Sequence, residues 1–154
     1  MDTGSPIFRQ TRVGRNKQDF ELFKFRSMYI STKAVATHLA NASDITKIGK
    51  VLRKSKLDEL PQLWNVFIGD MSLVGPRPNL KTQNELIAKR ELKGVYKVRP
   101  GITGMSQIKR IDMSTPDKLA ETDALMIEKM SIWLYFKLIF LTVFGRGFGD
   151  PIQK

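Results

Sequence analysis

Polar and apolar side chains alternate near the start of the chain, and this pattern predicts a β-hairpin over residues 7–28. Residues 8–13 and 20–25 are rich in β-forming side chains, and a turn-type cluster at residues 14–16 separates them. Because successive side chains of a strand point to opposite faces, Phe23 and Phe25 share one face while Lys24 and Arg26 share the other. A solvated surface is the plainest interpretation of that basic face.

Further along the chain, apolar residues recur at helical spacing. Residues 29–43 are weakly patterned and predict a loop or a marginal helix, and a helix is expected to open at Asp44. A second helical pattern ends at Gly69, and its start is limited by Pro61, which the first turn of a helix tolerates. Asp58 is therefore predicted as the N-cap of this second helix.

The second half of the chain contains signals for further elements. Residues 79–92 suit a helix that Gly94 terminates, and residues 95–98 are strand-like. Thr115 followed by Pro116 is a strong helix start, since proline is favoured at the first helical position.

The C-terminal run over residues 131–144 is apolar except for Lys137 and two hydroxyl residues. It is shorter than the ~18–20 residues that a membrane-spanning helix needs. A buried core helix and a helix lying in a membrane surface are both consistent with it, and Trp133, Tyr135 and Lys137 suit the headgroup zone. The patterns together predict an α+β fold: one small, mostly helical domain over residues 1–154, with an N-terminal β-hairpin and a C-terminal amphipathic or interfacial helix.

The composition of the chain excludes several kinds of catalytic and metal site. The 154 residues contain no cysteine and a single histidine, His38. This excludes a disulfide-stapled fold, thiolate catalysis and cysteine-based metal sites, and it argues against a His-rich metal site or a Ser-His-Asp triad. Lys and Arg number 26 against 15 Asp and Glu, which gives a formal charge of +11, spread over both halves of the chain. Nucleic acid, anionic lipid headgroups and phosphorylated small molecules are all compatible with that charge.

Asp58 and Glu59 are the most suggestive candidates for chemistry. These adjacent carboxylates lie at a predicted helix start, and three cations, Arg53 among them, lie within the five residues upstream. The N–H groups of a helix N-terminus and nearby cations both favour an ionised carboxylate. Such a group can act as a nucleophile or hold Mg²⁺. An N-cap, or a capping box formed with Ser55, would also explain Asp58.

Arg77 is a further candidate because prolines flank it on both sides, in the stretch Gly-Pro-Arg-Pro at residues 75–78. The prolines stiffen the backbone and would fix the arginine for bidentate contact with phosphate. A rigid turn with an exposed charge is the alternative interpretation.

Four stretches of the chain together resemble the signatures of one family. They are Lys-Phe-Arg-Ser-Met at 24–28, Leu-Asp-Glu-Leu-Pro-Gln-Leu-Trp-Asn at 57–65, Gly-Asp-Met-Ser-Leu-Val-Gly-Pro-Arg-Pro at 69–78 and Val-Arg-Pro-Gly-Ile-Thr-Gly at 98–104. In this order and spacing they are similar to the bacterial sugar transferases, the monotopic polyprenyl-phosphate phosphoglycosyl transferases. The resemblance covers nearly the whole chain.

The resemblance implies transfer of a sugar-1-phosphate from a UDP-sugar to polyprenyl (undecaprenyl) phosphate, the initiating step of bacterial polysaccharide, O-antigen or glycoprotein assembly. Asp58 would attack the sugar-bearing β-phosphate and release UMP, and the acceptor would then take the phosphosugar from Asp58. Glu59 would be its dyad partner and help to hold Mg²⁺, the implied cofactor, or the acceptor. Such a reaction needs little covalent machinery beyond positioning and neutralisation of charge.

The resemblance also implies roles for particular basic residues. Four of them are expected to contact substrate phosphates: Lys24, Arg26, Arg53 and Arg77. Asp58 and Glu59 are the implied ligands of Mg²⁺. Asp70 and Arg99 also fall in matching blocks, where a structural role explains them equally well.

Two departures from the family pattern lead to further expectations. Family members usually have a hydrophobic membrane-inserted helix before the first block, whereas this chain starts with Met-Asp-Thr-Gly-Ser-Pro, so a catalytic core without that helix is expected. Residues 104–107 are Gly-Met-Ser-Gln, where family members often have Trp-Ala-Gln after the glycine. This difference is expected to bear on acceptor or membrane contact.

The implied partners are a UDP-sugar donor, a polyprenyl phosphate acceptor and a membrane surface, at the cytoplasmic face of the bacterial inner membrane. Nucleic acid is not expected as a partner. The alternative function is a non-catalytic, basic membrane-surface module in which the C-terminal helix and cations bind anionic lipid, and the net charge alone suggests nucleic-acid binding as a third. No residue indicates which sugar is transferred.

Overall fold

The structure, a computed structural model, describes residues 4–30 and 42–144, and His38 lies outside the described residues. The chain begins with strands β1 (Ile7–Val13) and β2 (Asp19–Phe25), which pair antiparallel and confirm the predicted hairpin. A 3-10 turn, Arg15–Lys17, joins them, with Asn16 in the left-handed region at φ 55°. Asparagine tolerates that conformation because its short polar side chain can hydrogen-bond locally. The strands therefore reverse direction without a glycine at the tip.

The first helical region consists of three consecutive pieces: α1 (Lys47–Ser55), a 3-10 turn (Leu57–Glu59) and α2 (Gln62–Phe67). The expected helix start at Asp44 is wrong, because Asp44 ends a separate 3-10 turn, Ala42–Asp44. The N-cap of α1 is Thr46, whose Oγ1 accepts a hydrogen bond from the Gly49 N–H at 2.8 Å. A threonine hydroxyl in this position satisfies one of the N–H groups that a helix leaves unpaired.

The third helix, α3 (Asn84–Leu92), lies within the predicted range 79–92 but begins later. Asn79 instead forms a β-bridge with Val13, whose N–H donates to the Asn79 carbonyl oxygen at 3.0 Å. Gly94 follows the helix at φ 67°, as the predicted stop requires. The strand expected at residues 95–98 is wrong: Val95–Lys97 is a 3-10 turn closed by a bond from the Lys97 N–H to the Gly94 carbonyl oxygen.

A short parallel sheet, which the hydrophobic pattern does not predict, pairs β3 (Ser72–Val74) with β4 (Gly101–Thr103). Two glycines allow the backbones to approach closely at its end. A Cβ atom built on Gly101 would lie 2.0 Å from the backbone nitrogen of Gly75, far inside any normal contact. The segment after β3 is thereby held directly against β4.

The remaining elements are helices: α4 (Met105–Ile108), α5 (Pro116–Glu128) and α6 (Ile132–Val143). Thr115 precedes α5 as predicted, although its hydroxyl bonds back to the Asp112 carbonyl oxygen at 3.4 Å rather than to the helix. Ser131 caps α6, since its Oγ accepts a hydrogen bond from the Leu134 N–H at 3.1 Å. A hairpin with predominantly helical segments after it confirms the expected α+β class.

Two apolar clusters connect these elements. One joins the hairpin to the residue before β3, and the other joins β3, α5 and α6. Their buried members are Phe20, Leu22 and Met71 in the first cluster and Val74, Met126 and Leu138 in the second. Met105, at the departure noted in the sequence, packs against the second cluster and so contributes to the core.

Helix α6 presents one face to the core and the other to the outside. Leu138 is the buried residue of this helix, whereas Ile132 and Trp133 are 78% and 87% exposed. The core interpretation of this apolar run therefore fits one face, and contact of the other face with a membrane surface stays a prediction. Within residues 4–30 and 42–144, no helix has both the length and the apolar character needed to cross a bilayer.

The contact between Gly75 and Gly101 leads to a stability prediction. Gly101→Ala is expected to lower the free energy of unfolding by about 3 kcal/mol or more, because the added methyl group meets backbone atoms that cannot move aside. Gly94→Ala is the comparison: its Cβ would meet nothing closer than 3.5 Å, so only the left-handed backbone is strained, at a cost of about 1–2 kcal/mol. Urea unfolding of both variants measures the difference, and equal losses would contradict the explanation.

Candidate active site

The two predicted catalytic carboxylates, Asp58 and Glu59, lie in the 3-10 turn between α1 and α2. Before this turn Lys56 adopts a left-handed conformation, φ 59° and ψ 13°, and its N–H donates to the Arg53 carbonyl oxygen at 3.2 Å. The chain thus leaves α1 in a new direction and packs the turn against α1 and β2, with Asp58 only 7% exposed. The predicted N-cap role of Asp58 is wrong, because α2 begins at Gln62 and has no side-chain cap.

The segment 57–68 has its polar side inside and its apolar side outside. Asp58, Gln62 and Asn65 are spaced by four and three residues, so they share one helical face, and all three are buried. The opposite face carries exposed apolar side chains: Leu57, Leu60, Leu63, Trp64 and Phe67. This is the reverse of the usual arrangement of a surface helix in water.

Glu59 brings two of the predicted phosphate-binding residues together. Its Oε1 accepts hydrogen bonds from Lys24 Nζ at 3.3 Å and from Arg77 Nη2 at 3.0 Å. The three side chains are 14–18% exposed. Because little water surrounds them, the charges interact more strongly than those of a surface pair. Neither the solvated surface suggested for Lys24 nor the exposed charge suggested for Arg77 matches this placement.

Arg53 lies beside the residues that follow the hairpin. Its Nε donates to Ser27 Oγ at 2.9 Å, and its Nη2 contacts Met28 Sδ at 3.6 Å. The remaining nitrogen, Nη1, is buried and has no hydrogen-bond partner among the described residues. A buried donor left in this state costs about 1–3 kcal/mol, which an anionic ligand would relieve.

Arg26 is placed differently from the other three basic candidates. Its Nε donates to the Ser5 carbonyl oxygen at 2.8 Å, and its guanidinium lies 5.6 Å from the centroid of the Phe8 ring. These contacts hold the N-terminal segment against the hairpin. No hydrogen bond or ion pair within the described part of the chain joins Arg26 to Glu59, and phosphate contact by Arg26 stays a prediction.

Gln62 is a buried polar residue that the sequence analysis missed. It is 2% exposed, and its Nε2 has no hydrogen-bond partner within residues 4–30 and 42–144. Gln62 lies four residues after Asp58, and that helical spacing is the signal by which it could have been found. Asn65, one turn further, is fully used: it donates to the Glu21 carbonyl oxygen at 2.7 Å and accepts from the Phe23 N–H at 3.1 Å, which fixes α2 to β2.

Lys56 connects the carboxylate turn to α6. Its Nζ donates to the Thr142 carbonyl oxygen at 3.0 Å, near the C-terminal end of α6, where a positive charge is favourable. Burial lowers the pKa of Lys56 below its usual 10.5, and the charge of Glu59 opposes that shift. The same residue accepts a left-handed backbone conformation that costs about 1–2 kcal/mol.

Asp58 and Glu59 are the candidate ligands for Mg²⁺. Among the described residues there is no group of three or more His, Cys, Asp or Glu side chains that could hold a metal ion. In phosphoryl-transfer sites, however, Mg²⁺ usually takes one or two carboxylates and completes its shell with water and substrate phosphates. Asp58 and Glu59, adjacent in one turn, fit that smaller donor set.

Comparison with known proteins places the chain in a family. The family model described as bacterial sugar transferase matches residues 1–147. The chain belongs to the bacterial sugar transferase family. This membership confirms the resemblance carried by the four motifs.

Curated members of the family are clearly similar to this chain. It is 46% identical to the UDP-glucose:undecaprenyl-phosphate glucose-1-phosphate transferase of Klebsiella pneumoniae, over 94% of this chain and 33% of that protein. It is 37% identical to the UDP-N-acetylgalactosamine-undecaprenyl-phosphate N-acetylgalactosaminephosphotransferase of Aeromonas hydrophila, over 95% of this chain and 37% of that protein. The uncharacterized sugar transferase EpsL of Bacillus subtilis is 39% identical, over 100% of this chain and 76% of its own length. The chain thus spans about a third of the first two relatives.

The pKa of Lys56 gives a test of the electrostatics of the candidate site in this member of the family. Glu59→Gln removes the charge that opposes the effect of burial, so the pKa of Lys56 is expected to fall further below 10.5. Between the lowered pKa and 10.5 the unfolded chain binds the extra proton, so the contribution of Lys56 to stability rises with pH in that window. An NMR titration of the Lys56 side chain in both proteins measures the shift. An unchanged or raised pKa in Glu59→Gln would show that Glu59 does not act on Lys56.

Proposed function

We propose that this bacterial sugar transferase moves a sugar-1-phosphate from a UDP-sugar to undecaprenyl phosphate, with Asp58 carrying the phosphosugar between the two. The names of the similar transferases support the classes of donor and acceptor. One observation carries the proposal for this chain: a buried Asp58 adjoins Glu59, on which the cations of Lys24 and Arg77 converge.

In the first half-reaction, a carboxylate oxygen of Asp58 attacks the phosphorus that bears the sugar. The bond from this phosphorus to the bridging oxygen breaks, its electron pair leaves with UMP, and an aspartyl phosphosugar remains. A carboxylate nucleophile gives up no proton, so the step needs no histidine base. This agrees with the presence of a single histidine in the chain.

In the second half-reaction, a phosphate oxygen of the acceptor attacks the same phosphorus. The bond to Asp58 breaks, and its electron pair returns to the carboxylate. The acceptor phosphate is largely ionised near neutral pH, because its second pKa is about 6. This step therefore also proceeds without a strong general base.

The basic residues neutralise the negative charge of the substrate phosphates. Glu59 holds Lys24 and Arg77 in place before substrate arrives. Their donors are therefore already oriented when phosphate oxygens replace the Glu59 carboxylate. Arg53 Nη1, which has no hydrogen-bond partner within the described ranges, is a further donor for a phosphate. Asp58 and Glu59 would hold Mg²⁺ together with the donor diphosphate. When bound, that ion supplies positive charge to the oxygens of the diphosphate and polarises them.

The proposed membrane partner meets the apolar outer faces of α2 and α6. These faces carry exposed aromatic side chains: Trp64 and Phe67 on α2, and Trp133, Phe136 and Phe140 on α6. Aromatic rings are favoured at the level of lipid headgroups, and the positive charge of the chain suits an anionic surface. The proposed location is the cytoplasmic face of the bacterial inner membrane, with undecaprenyl phosphate presented to Asp58 from the lipid.

Asp58→Asn tests the nucleophile. The variant is expected to release UMP from a UDP-sugar at least about 10³-fold more slowly than wild type, because an amide does not form the acyl-phosphate bond to the phosphosugar. Intact-mass spectrometry of the wild-type chain with the donor alone is expected to show one added phosphosugar, which Asp58→Asn lacks. A panel of UDP-sugars is used, since no residue indicates which sugar the donor carries.

The matched control is Asp117→Asn, which alters an exposed carboxylate that pairs with Lys89 on the surface. It is expected to leave UMP release unchanged. Turnover by Asp58→Asn near the wild-type rate would overturn the nucleophile assignment. Turnover by wild type with no adduct in a single-turnover experiment would instead indicate direct transfer in a ternary complex.

Trp133→Ser tests the membrane face. Burial of a large aromatic side chain contributes about 2–3 kcal/mol, so its loss is expected to weaken binding to vesicles containing phosphatidylglycerol at least tenfold. Leu92→Ser is the control, because Leu92 on α3 is equally exposed, at 87%, but lies outside the apolar faces of α2 and α6. Vesicle sedimentation measures both, and equal effects would exclude α6 as the contact.

A membrane-binding module without catalysis is the second candidate, because the exposed apolar face of α6 supports lipid binding by itself. In that case vesicle binding would persist in Asp58→Asn, and the wild-type chain would release no UMP and form no adduct. Measuring both activities on the same two proteins separates the candidates.

A further inference from the structure

A buried ion pair between α3 and α5 lies outside the proposed catalytic residues. Arg90 and Asp123 are each 1% exposed, and Arg90 Nη2 and Nε donate to Asp123 Oδ2 at 2.6 and 3.0 Å. Taking such charges out of water costs several kcal/mol per ion, and apolar side chains of similar size often stabilise a fold as well or better. Stability alone is therefore a weak explanation for this pair.

The remaining hydrogen bonds of the pair indicate a more specific role. Arg90 Nη1 donates to the backbone carbonyl oxygen of Arg77 at 2.8 Å and to Asn79 Oδ1 at 3.0 Å. Asp123 Oδ1 accepts from Ser106 Oγ at 2.6 Å, which fixes the carboxylate. Arg90 thus holds the backbone of the same residue whose guanidinium contacts Glu59.

The segment 76–79 is held through its carbonyl oxygens. Prolines at 76 and 78 have no N–H group, so the carbonyl oxygens are the main groups by which the fold can fix this stretch. Arg90 binds the one at Arg77. The other three accept from separate parts of the fold: Pro76 from the Gly101 N–H at 2.9 Å, Pro78 from Arg12 Nη1 at 3.3 Å and Asn79 from the Val13 N–H at 3.0 Å.

We propose that Arg90 and Asp123 are positioning residues that hold Arg77 in the orientation in which its guanidinium meets substrate phosphate. This inference rests on the proposed function. Glu59 and Arg90 hold Arg77 from opposite ends, at the side chain and at the backbone. When a phosphate takes the place of Glu59, the backbone contact remains and keeps the guanidinium oriented, so little reorganisation accompanies the reaction.

A double-mutant cycle on UMP release tests the proposal with wild type, Arg77→Gln, Arg90→Lys and the double variant. Arg90→Lys keeps a positive charge opposite Asp123, but one ammonium group cannot reproduce the fork-shaped set of contacts. Arg77→Gln is expected to lower kcat about 100-fold and Arg90→Lys at least tenfold, with a smaller change in KM. The double variant is expected to be no slower than Arg77→Gln alone, because Arg90 acts through Arg77.

Thermal unfolding of the same four proteins separates positioning from folding. Arg90→Lys is expected to lower Tm by the same amount in both backgrounds, while its effect on kcat disappears without Arg77. Losses of kcat that multiply in the double variant would overturn the proposal, since Arg90 would then act independently of Arg77. Lys89→Met is the matched control: Lys89 precedes Arg90 on α3, pairs with Asp117 of α5 at the surface, and should leave kcat unchanged.

If Arg90→Lys does not fold, the double-mutant cycle is measured with Ser106→Ala in its place. That variant removes only the hydroxyl that donates to Asp123. A loss of kcat of about threefold that vanishes in the Arg77→Gln background is expected. A loss of the same size in both backgrounds would overturn the proposal.

Failure of the proposed function gives a different result. A wild-type chain that releases no UMP from any UDP-sugar overturns that function, and the cycle is then measured on the Kd for UDP by calorimetry. The positioning proposal still requires that Arg90→Lys weaken UDP binding only when Arg77 is present. Weakening that is equal in both backgrounds would overturn it.

Discussion

Glu59, Lys24 and Arg77 lie together with little water around them, and the carboxylate of Glu59 offsets part of the charge of the two cations. This constraint governs the rest of the structure, since the three residues come from the carboxylate turn, from β2 and from the loop after β3. The three side chains meet only if the backbone of each segment is held in place by further contacts. Asn65 ties the helical segment to β2 through two backbone groups, and the close contact at Gly75 holds the loop against β4. The fold around the site serves mainly to hold these three segments in place.

The inverted polarity of residues 57–68 follows from the same constraint. A helix that turns Asp58, Gln62 and Asn65 inward leaves its apolar side chains on the outside. In water this arrangement forgoes about 25 cal/mol for every Å² of apolar surface left exposed. Against a lipid surface the same side chains are favourably placed, and α6 offers a second apolar face. The arrangement that gathers the polar groups of the site thus also generates the proposed membrane contact.

Local patterns were sufficient for the hairpin, for α5 and for α6, because each depends on contacts between residues close in sequence. The sheet of β3 and β4 could not be found in this way, since each strand has three residues and Gly101 pairs with a residue far earlier in the chain. The N-cap prediction for Asp58 failed because a lysine at position 56 gives no signal of a left-handed backbone. The flanking prolines made Arg77 a candidate, whereas motif resemblance alone gave Lys24 a role in phosphate binding. Neither the hydrophobic pattern nor the motif resemblance identified Arg90, because a buried arginine on α3 has the same spacing as a solvated one.

The hydrogen bond from Lys56 to the end of α6 ties the carboxylate turn to the helix that is proposed to lie on the lipid. If the proposed function holds and α6 lies in the headgroup layer, the acceptor phosphate would reach Asp58 by lateral diffusion without leaving the bilayer. Its search is two-dimensional, whereas the water-soluble donor arrives from the bulk solution. The two substrates then approach one carboxylate from different phases, which suits a reaction in which they occupy the site in succession.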